Sequence, residues 1–476
     1  MPPNLRLATF SFFICLLGNL PQSFSQETNT EKKAAPTFQS NRAEEDYSYL
    51  KDPDNQLYQP SFGDNLKFIA LNSDRSIYAT LGGGYRARVE LFDNKDWTTE
   101  DQSYYSQRLS LHAGVNLGTK LRLFGELYHG YTSDTLRLFQ SDDIAWHQAF
   151  VEFSSQLAGK QHIKVSLGRQ ELAFGANRLI GTRNGTNIRR SFDLGKAVFS
   201  QGKANVSFFY GKEVVPQFEA FDNEFNLFNS EATNPEIWGV YIQFPAIKAP
   251  ITDEIYYIGF GSKAAGFSDV FGKETRHTIG LRRFGKVGKQ FTFNTELIYQ
   301  FGELGDSKIS AFDIETDWKF ILTEVKWRPT FGIKLDFSSG DREVGDDKIQ
   351  TFNPLFVNPA IYSLAAVNTP ANLSSFHPNF TLFPHEDLSI YIDYALFYRT
   401  SREDGLYTPP RFQVRSADGN PERHIGDALG ISIKYEINRN ITCDVMSSYF
   451  LPGAFIETSG PSEKTFFIAP TISFLF

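Results

Sequence analysis

For about ten or more residues at a time, this sequence alternates strictly between an apolar side chain and a polar or charged one. Successive side chains of a strand point to opposite faces, so each run makes a ribbon with one wet face and one apolar face. Tyr85, Ala87, Val89 and Leu91 alternate with Arg86, Arg88 and Glu90. Leu109, Leu111, Ala113, Val115 and Leu117 alternate with Arg108, Ser110, His112, Gly114 and Asn116. Gly118-Thr119-Lys120 then returns the chain directly into Leu121-Arg122-Leu123-Phe124-Gly125-Glu126-Leu127. The pattern recurs from Phe291 to Tyr299, from Phe312 to Trp318, and over Trp327, Phe331, Ile333, Leu335 and Phe337. Such runs have the length a tilted strand needs to cross hydrocarbon.

Soluble sandwiches also alternate, and composition separates the two cases. Aromatic residues make up 15% of the chain, with 46 Phe and 21 Tyr, yet hydrophobic residues reach only 41% and mean hydropathy is negative. One face is heavily charged while the other carries Phe, Tyr, Trp and Leu. Aromatic pairs at Tyr104-Tyr105, Tyr256-Tyr257 and Tyr449-Phe450 are expected at strand ends, where an interfacial girdle lies. The body has no apolar run long enough for a membrane helix. With strands as the spanning elements, only a closed barrel satisfies every backbone group in lipid. The expected fold is therefore an all-β, transmembrane antiparallel β-barrel in the outer membrane of a Gram-negative bacterium. About seventeen strand candidates lie between Tyr85 and Phe476. Bacterial barrels use even numbers, which predicts 16–18 strands, with 18 preferred. Phe466, Ile468, Ile472, Phe474 and Phe476 share one face, and a strand ending in an aromatic residue resembles the signal read by the barrel assembly machinery. Short turns are expected after Leu117, Ser200 and Phe284. Long segments fall at about 169–192, 213–235, 339–385 and 401–423, giving short periplasmic turns and long extracellular loops.

The N-terminus predicts export. Arg6 precedes the apolar run Leu7–Leu20, and Ser23-Phe24-Ser25 offers a cleavage site before Gln26, so residues 1–25 read as a signal peptide. Residues 26–64 read as a polar periplasmic lead-in, and residues 65–476 as the barrel. Cys15 lies within the signal without a lipobox, which leaves Cys443 unable to form an intramolecular disulfide. The formal net charge is −8 and no long basic run exists, so nucleic acid is excluded as a partner.

The alternation turns Arg86, Arg88, Arg108, Arg122 and Glu126 toward the lumen, together with Lys164, Arg282, Lys334, Glu296, Asp313, Asp336 and Asp393. Between Gly168 and Asp193, residues Arg169, Glu171, Arg178, Arg183, Arg189, Arg190 and Asp193 crowd a Gly-rich loop. Guanidinium groups in such numbers can bind a solute's carboxylates or hydroxyls. They can equally form internal salt bridges that hold the loop, and both readings stay open here. The expected solute-lining set is Arg86, Arg88, Arg108, Arg122, Glu126, Arg169, Glu171, Arg178, Arg190 and Asp193. Neither metal-ligand spacing nor a phosphate-cradling loop nor a nucleophile–base pair emerges, so no metal or cofactor is expected and the chain does not read as an enzyme.

A family resemblance rests on the same segment. Gln148-Ala149-Phe150-Val151-Glu152, Leu167-Gly168-Arg169-Gln170-Glu171-Leu172, Arg178-Leu179-Ile180-Gly181 and Arg190-Ser191-Phe192-Asp193 occur in that order. With Leu81-Gly82-Gly83-Gly84-Tyr85-Arg86-Ala87-Arg88 upstream and a strand-final Gly453-Ala454-Phe455, the chain resembles the alginate export family of outer-membrane barrels over nearly its whole length after residue 65. The resemblance implies a channel for passive passage of an anionic or polyhydroxylated solute or polysaccharide. Its surroundings would be outer-membrane lipid, the barrel assembly machinery, and a periplasmic partner if cargo is delivered. The alternatives are an outer-membrane enzyme and a plugged barrel that binds a partner at the surface.

Overall fold

The computed structural model describes residues 37–52, 62–133, 139–246, 249–409 and 411–476. The expected signal peptide, and the lead-in outside residues 37–52 and 62–64, lie outside the described residues. Eighteen strands form one closed antiparallel barrel, the preferred count. They begin with β1 (Ile77–Asp93), β2 (Gln102–Leu117), β3 (Leu121–Thr132), β4 (Asp142–Gln156), β5 (Gln161–Gln170) and β6 (Phe192–Gln201). The ring continues through β7 (Ala204–Glu213), β8 (Glu236–Pro245), β9 (Ile251–Phe267), β10 (Val270–Val287), β11 (Phe291–Leu304) and β12 (Ser307–Ile321). It ends with β13 (Thr330–Ser338), β14 (Leu373–His385), β15 (Leu388–Arg399), β16 (His424–Glu436), β17 (Ile441–Pro452) and β18 (Thr465–Leu475). Each strand pairs with the next, and β18 closes on β1 through Gly84↔Leu475, Ala87↔Ile472 and Arg88↔Thr471.

The alternation becomes the two faces of the wall. On β2, Leu109 and Leu111 are 45% and 51% exposed, while Ser110 and His112 are buried on the lumen side. A charged side chain on the lipid face must enter hydrocarbon. Leu335→Arg is therefore expected to cost about 2–4 kcal/mol if it lies near the midplane and to deplete folded barrel in membranes, while Lys334→Arg, on the inner face, folds normally. Equal yields, read by the heat-dependent gel shift of extracted protein, would contradict this register.

Several local expectations need correction. The loop expected over 339–385 ends at 372, and Leu373–His385 is β14. Its Pro378 and Asn379 hide the alternation, although Phe376 is outward and 41% exposed. The turn expected after Phe284 comes later, because β10 continues to Val287. Trp327 sits in a turn at φ +68 rather than on the face of Phe331. Tyr256 belongs to no girdle: it points inward and donates to Glu296 Oε1 at 2.6 Å. Gly453-Ala454-Phe455 opens a short helix, α1 (Ala454–Ser459), instead of ending a strand.

The lumen is far from empty. Two extracellular loops, L3 (residues 171–191) and L7 (residues 339–372), turn into it. An apolar cluster joins Leu179, Ile180, Phe352 and Phe356 of these loops to Ile258, Phe260 and Ile298 of the wall. Residues 37–51 belong to the same compact unit as the barrel and contact its inward-facing side chains.

Candidate functional site

The departure of L3 from the wall starts at Gly168. Its φ of +135, with Ala149 and Phe150 packed where a Cβ would stand, makes glycine necessary there. The ladder runs on in register through Gly168, so Arg169 shares the outward parity of Leu167, which is 43% exposed, and is itself only 4% exposed beneath loop carbonyls. Arg169 then grips Asp193 with two parallel bonds, Nε to Oδ1 at 2.7 Å and Nη2 to Oδ2 at 3.1 Å. Its remaining N–H groups donate to the carbonyls of Trp146 (3.3 Å), Asn223 (3.1 Å) and Glu224 (2.7 Å). Asp193 also accepts from the Asn226 amide at 2.8 Å. One ion pair thus ties both ends of L3 to loop L4 (residues 214–235). L4 in turn occupies the edge that β5 vacates, where the Phe221 amide donates to Ile144 O at 2.7 Å.

Three further pairs fix the body of L3. Glu171 accepts from Arg189 at 2.5 and 2.7 Å and lies 2.8 Å from His147 Nε2. Arg178 forms an ion pair with Glu315 of β12, both deeply buried. Arg190 donates to Glu213 at 2.8 Å, to Gly181 O at 3.0 Å and to the carbonyl of Phe356 in L7. A β-bridge between Ile180 and Phe356 completes the join between the loops.

The inward arginines of β1 and β2 meet the innermost turn of L3. Arg86 donates to Asn184 O at 2.8 Å and Thr186 O at 2.9 Å, and Arg88 to Gly185 O at 3.0 Å. Arg108 is held more loosely, at 3.2 Å from Asn184 Oδ1 and 3.5 Å from Asn187 O. It is also less buried than Arg86 and Arg88. Arg122 of β3 donates to Ala43 O at 2.5 Å, and Glu126 accepts from Gln148 at 2.8 Å. Roughly half-way round the ring, β9 to β13 present buried Glu254, Glu296, Asp313, Glu315 and Asp336. Arg282 and Tyr241 each reach Glu254 at 2.6 Å, and Ser338 reaches Asp313 at 2.6 Å. The guanidinium wall and the carboxylate wall face each other across L3, an arrangement that sets a transverse field.

Of the ten expected site residues, Arg169 and Asp193 take the outward parity of β5 and β6 and are covered by L4, a correction to their expected lumen position, and the other eight do not converge on one spot. Arg86, Arg88 and Arg108 hold one side of L3, while Arg169, Glu171, Arg178, Arg190 and Asp193 fasten its stem and far side. Arg122 and Glu126 meet, directly or through Gln148, residues 41–43. Sequence reasoning missed Asn187, which is fully buried and donates from its amide to Gln107 O (2.7 Å), Gln140 O (2.9 Å) and Tyr131 O (3.1 Å). It also missed Glu213 and Glu315 as arginine partners. Their inward parity was the one available signal.

Where L7 leaves β13, burial and the neighbouring Asp404 push Asp341 up to about 7. Asp404 lies in loop L8 (residues 400–423), and its carboxylate accepts from the Asp341 amide at 2.9 Å and Thr351 Oγ1 at 2.6 Å.

A Ser–His–Asp chain, also unseen in the sequence, lies on the inner face of β14 and β15. His377 is 3.0 Å from both Asp393 Oδ2 and Ser375 Oγ. The single Ser375 hydroxyl hydrogen goes to Asp336 Oδ2 at 2.7 Å, and His377 is fully buried. The chain is bonded like an internal polar network rather than like a nucleophile awaiting substrate.

A family model described as alginate export matches residues 77–469. No curated protein sequence matches the chain. Among solved structures, OccK2 (OpdF) of Pseudomonas aeruginosa in complex with glucuronate is similar at TM-score 0.53 and 10% identity, covering 84% of this chain and 98% of that one. OpdO of Pseudomonas aeruginosa gives 0.55 at 9% identity, with 84% and 97% covered. A BenF-like porin from Pseudomonas fluorescens gives 0.53 at 12%, with 84% and 98% covered. At these identities the likeness is one of fold: the porin barrel of the outer membrane.

Proposed function

We propose, from the premise that this chain belongs to the alginate export family, that the outer-membrane channel it forms passes an anionic, polyhydroxylated solute or polysaccharide across L3. The observation that carries this reading is the hold of the wall arginines on neutral oxygens of L3, loosest at Arg108, opposite a wall of carboxylates. A carbonyl is the weaker partner for a guanidinium. A solute carboxylate makes charge-assisted, bidentate bonds that are roughly twice as strong and can displace it. Arg108, half-buried and with the longest bonds, is the first group such a solute would take. The carboxylate wall accepts from sugar hydroxyls while repelling the acid group, which orients the ring. OccK2, whose structure contains glucuronate, offers a probe of this chemistry.

The test is ion current through the purified protein in a planar bilayer. Arg108→Glu is expected to move the reversal potential toward cation preference, Arg108→Gln by less, and glucuronate is expected to block current at concentrations where glucose does not. An unchanged reversal potential in a folded variant, or equal block by both sugars, would overturn the reading. Among the described residues the enzyme alternative finds the Ser375–His377–Asp393 chain, whose hydroxyl is already committed to Asp336, and a Ser154–His162 pair at 2.8 Å beside the β4–β5 turn. The plugged-barrel alternative is favoured by the three segments inside the lumen, and a protein without measurable conductance would decide for it. In this reading the barrel assembly machinery inserts the chain, and a periplasmic partner delivers the polymer when the cargo is one.

A further inference from the structure

Three glycines in succession, Gly82-Gly83-Gly84, lie on β1 beside its closure with β18, and the channel reading gives them no task. Gly83 and Phe476 exchange both main-chain hydrogen bonds, each at 3.0 Å. A carbonyl has a second lone pair, and both of these second positions are taken by one side chain. Arg42 donates from Nη1 to Gly83 O and from Nη2 to Phe476 O, each at 3.0 Å. Its Nε is paired with Glu45 at 2.7 Å. The planar fork of a guanidinium suits two acceptors a few ångströms apart, which a single ammonium cannot span.

The surroundings are built for this contact. The Arg42 guanidinium lies 4.6 Å from the Phe38 ring, and that of Arg439, in the β16–β17 turn, lies 4.5 Å from it. Lys67 is fully buried, donates to Leu81 O at 3.0 Å, and stands 5.2 Å from the Tyr47 ring and 6.0 Å from that of Phe476. A Cβ on Gly82 would collide with the Lys67 ammonium, and one on Gly83 would stand 2.9 Å from the Phe476 ring. Glycines therefore let Phe38–Tyr47 and Lys67 approach the seam. Because one carbonyl comes from each strand, the Arg42 site exists only when the barrel is closed.

We propose that Phe38–Tyr47 with Lys67 is a clamp on the β1–β18 seam, engaging after closure and holding the ring shut. Seam opening then requires the clamp to leave first, so its contribution is confined to that junction. The role is independent of what the channel carries.

The experiment uses the full chain, folded in detergent, and reads the temperature at which its compact gel form converts to the unfolded one. Arg42→Ala is expected to lower that temperature by several degrees, and Arg42→Lys by nearly as much. Phe38→Ala, a milder change, should act in the same direction. The same variants are then made with the seam cross-linked through Ala87→Cys and Ile472→Cys, which are direct partners, in a Cys443→Ser background. With the disulfide formed, the differences from the Arg42 parent should vanish. Variants that leave the temperature unchanged, or that lower it as much with the seam cross-linked as without, would overturn the clamp.

Discussion

Arg178→Ala will destabilise the folded barrel by about 3–5 kcal/mol, because it leaves Glu315 buried without its cation. Glu315 is 1% exposed and also accepts from the Tyr362 hydroxyl of L7, so the loss falls on the point where L3, L7 and the wall meet. Urea titration of detergent-folded protein, followed by the gel shift, measures it. Arg178→Ala combined with Glu315→Gln should recover most of the loss, since the penalty comes from an uncompensated charge more than from the missing contact. A double variant as unstable as the single one would show that Arg178 acts through packing instead.

Excising the inner turn of L3, with residues 182–188 replaced by a short glycine linker, should raise single-channel conductance several-fold and weaken discrimination among solutes. The turn brings Asn184, Gly185 and Thr186 against the arginines of β1 and β2. Its removal frees Arg86 and Arg88 to face water and widens the gap to the carboxylate wall. Anion preference should therefore rise even as solute specificity falls. Planar-bilayer recording compares the two proteins directly. A conductance unchanged by the excision would place the conducting path away from L3.

What the sequence could reveal follows the range of each interaction. The faces of β1, β2 and β11 were legible because alternation is local: each residue declares its side by its neighbours alone. β14 escaped because Pro378 and Asn379 interrupt that local signal, and Tyr256 escaped because an aromatic residue fits either face. The arginines and acids of the Gly168–Asp193 segment stood out by their density. Their pairing did not, because Arg178 meets Glu315 and Arg190 meets Glu213 only through the curvature of the closed wall. The open choice between solute binding and internal ion pairing divides by position. Arg169, Arg178, Arg189 and Arg190 are engaged by carboxylates, while Arg86 and Arg108 hold neutral oxygens of L3 and Arg88 adds to its L3 carbonyl only a 3.5 Å pairing with Glu90 of its own strand. Residues 38–47 look in sequence like any polar tether, since composition does not distinguish a free segment from one whose few aromatic and basic side chains have docking partners.

The strands differ in length in a way that shapes the approach to the pore. β10 has 18 residues, whereas β5, β6, β7 and β8 have 10 each. At a tilt of about 40°, 10 residues rise roughly 25 Å, about the height of the apolar band, while 18 rise roughly 45 Å. The tall side ends in two-residue hairpins flanked by exposed Lys273, Glu303 and Lys308 on the outer face, side chains suited to water rather than lipid. The rim is therefore slanted, with a parapet on one side and a low sill on the other. A chain lying flat along the cell surface meets the sill, which L4 roofs, without climbing, while the parapet stops it from sliding past. The hairpin tips joining β9 to β10 and β11 to β12 are therefore the part of the rim that a large particle approaching from outside would touch first.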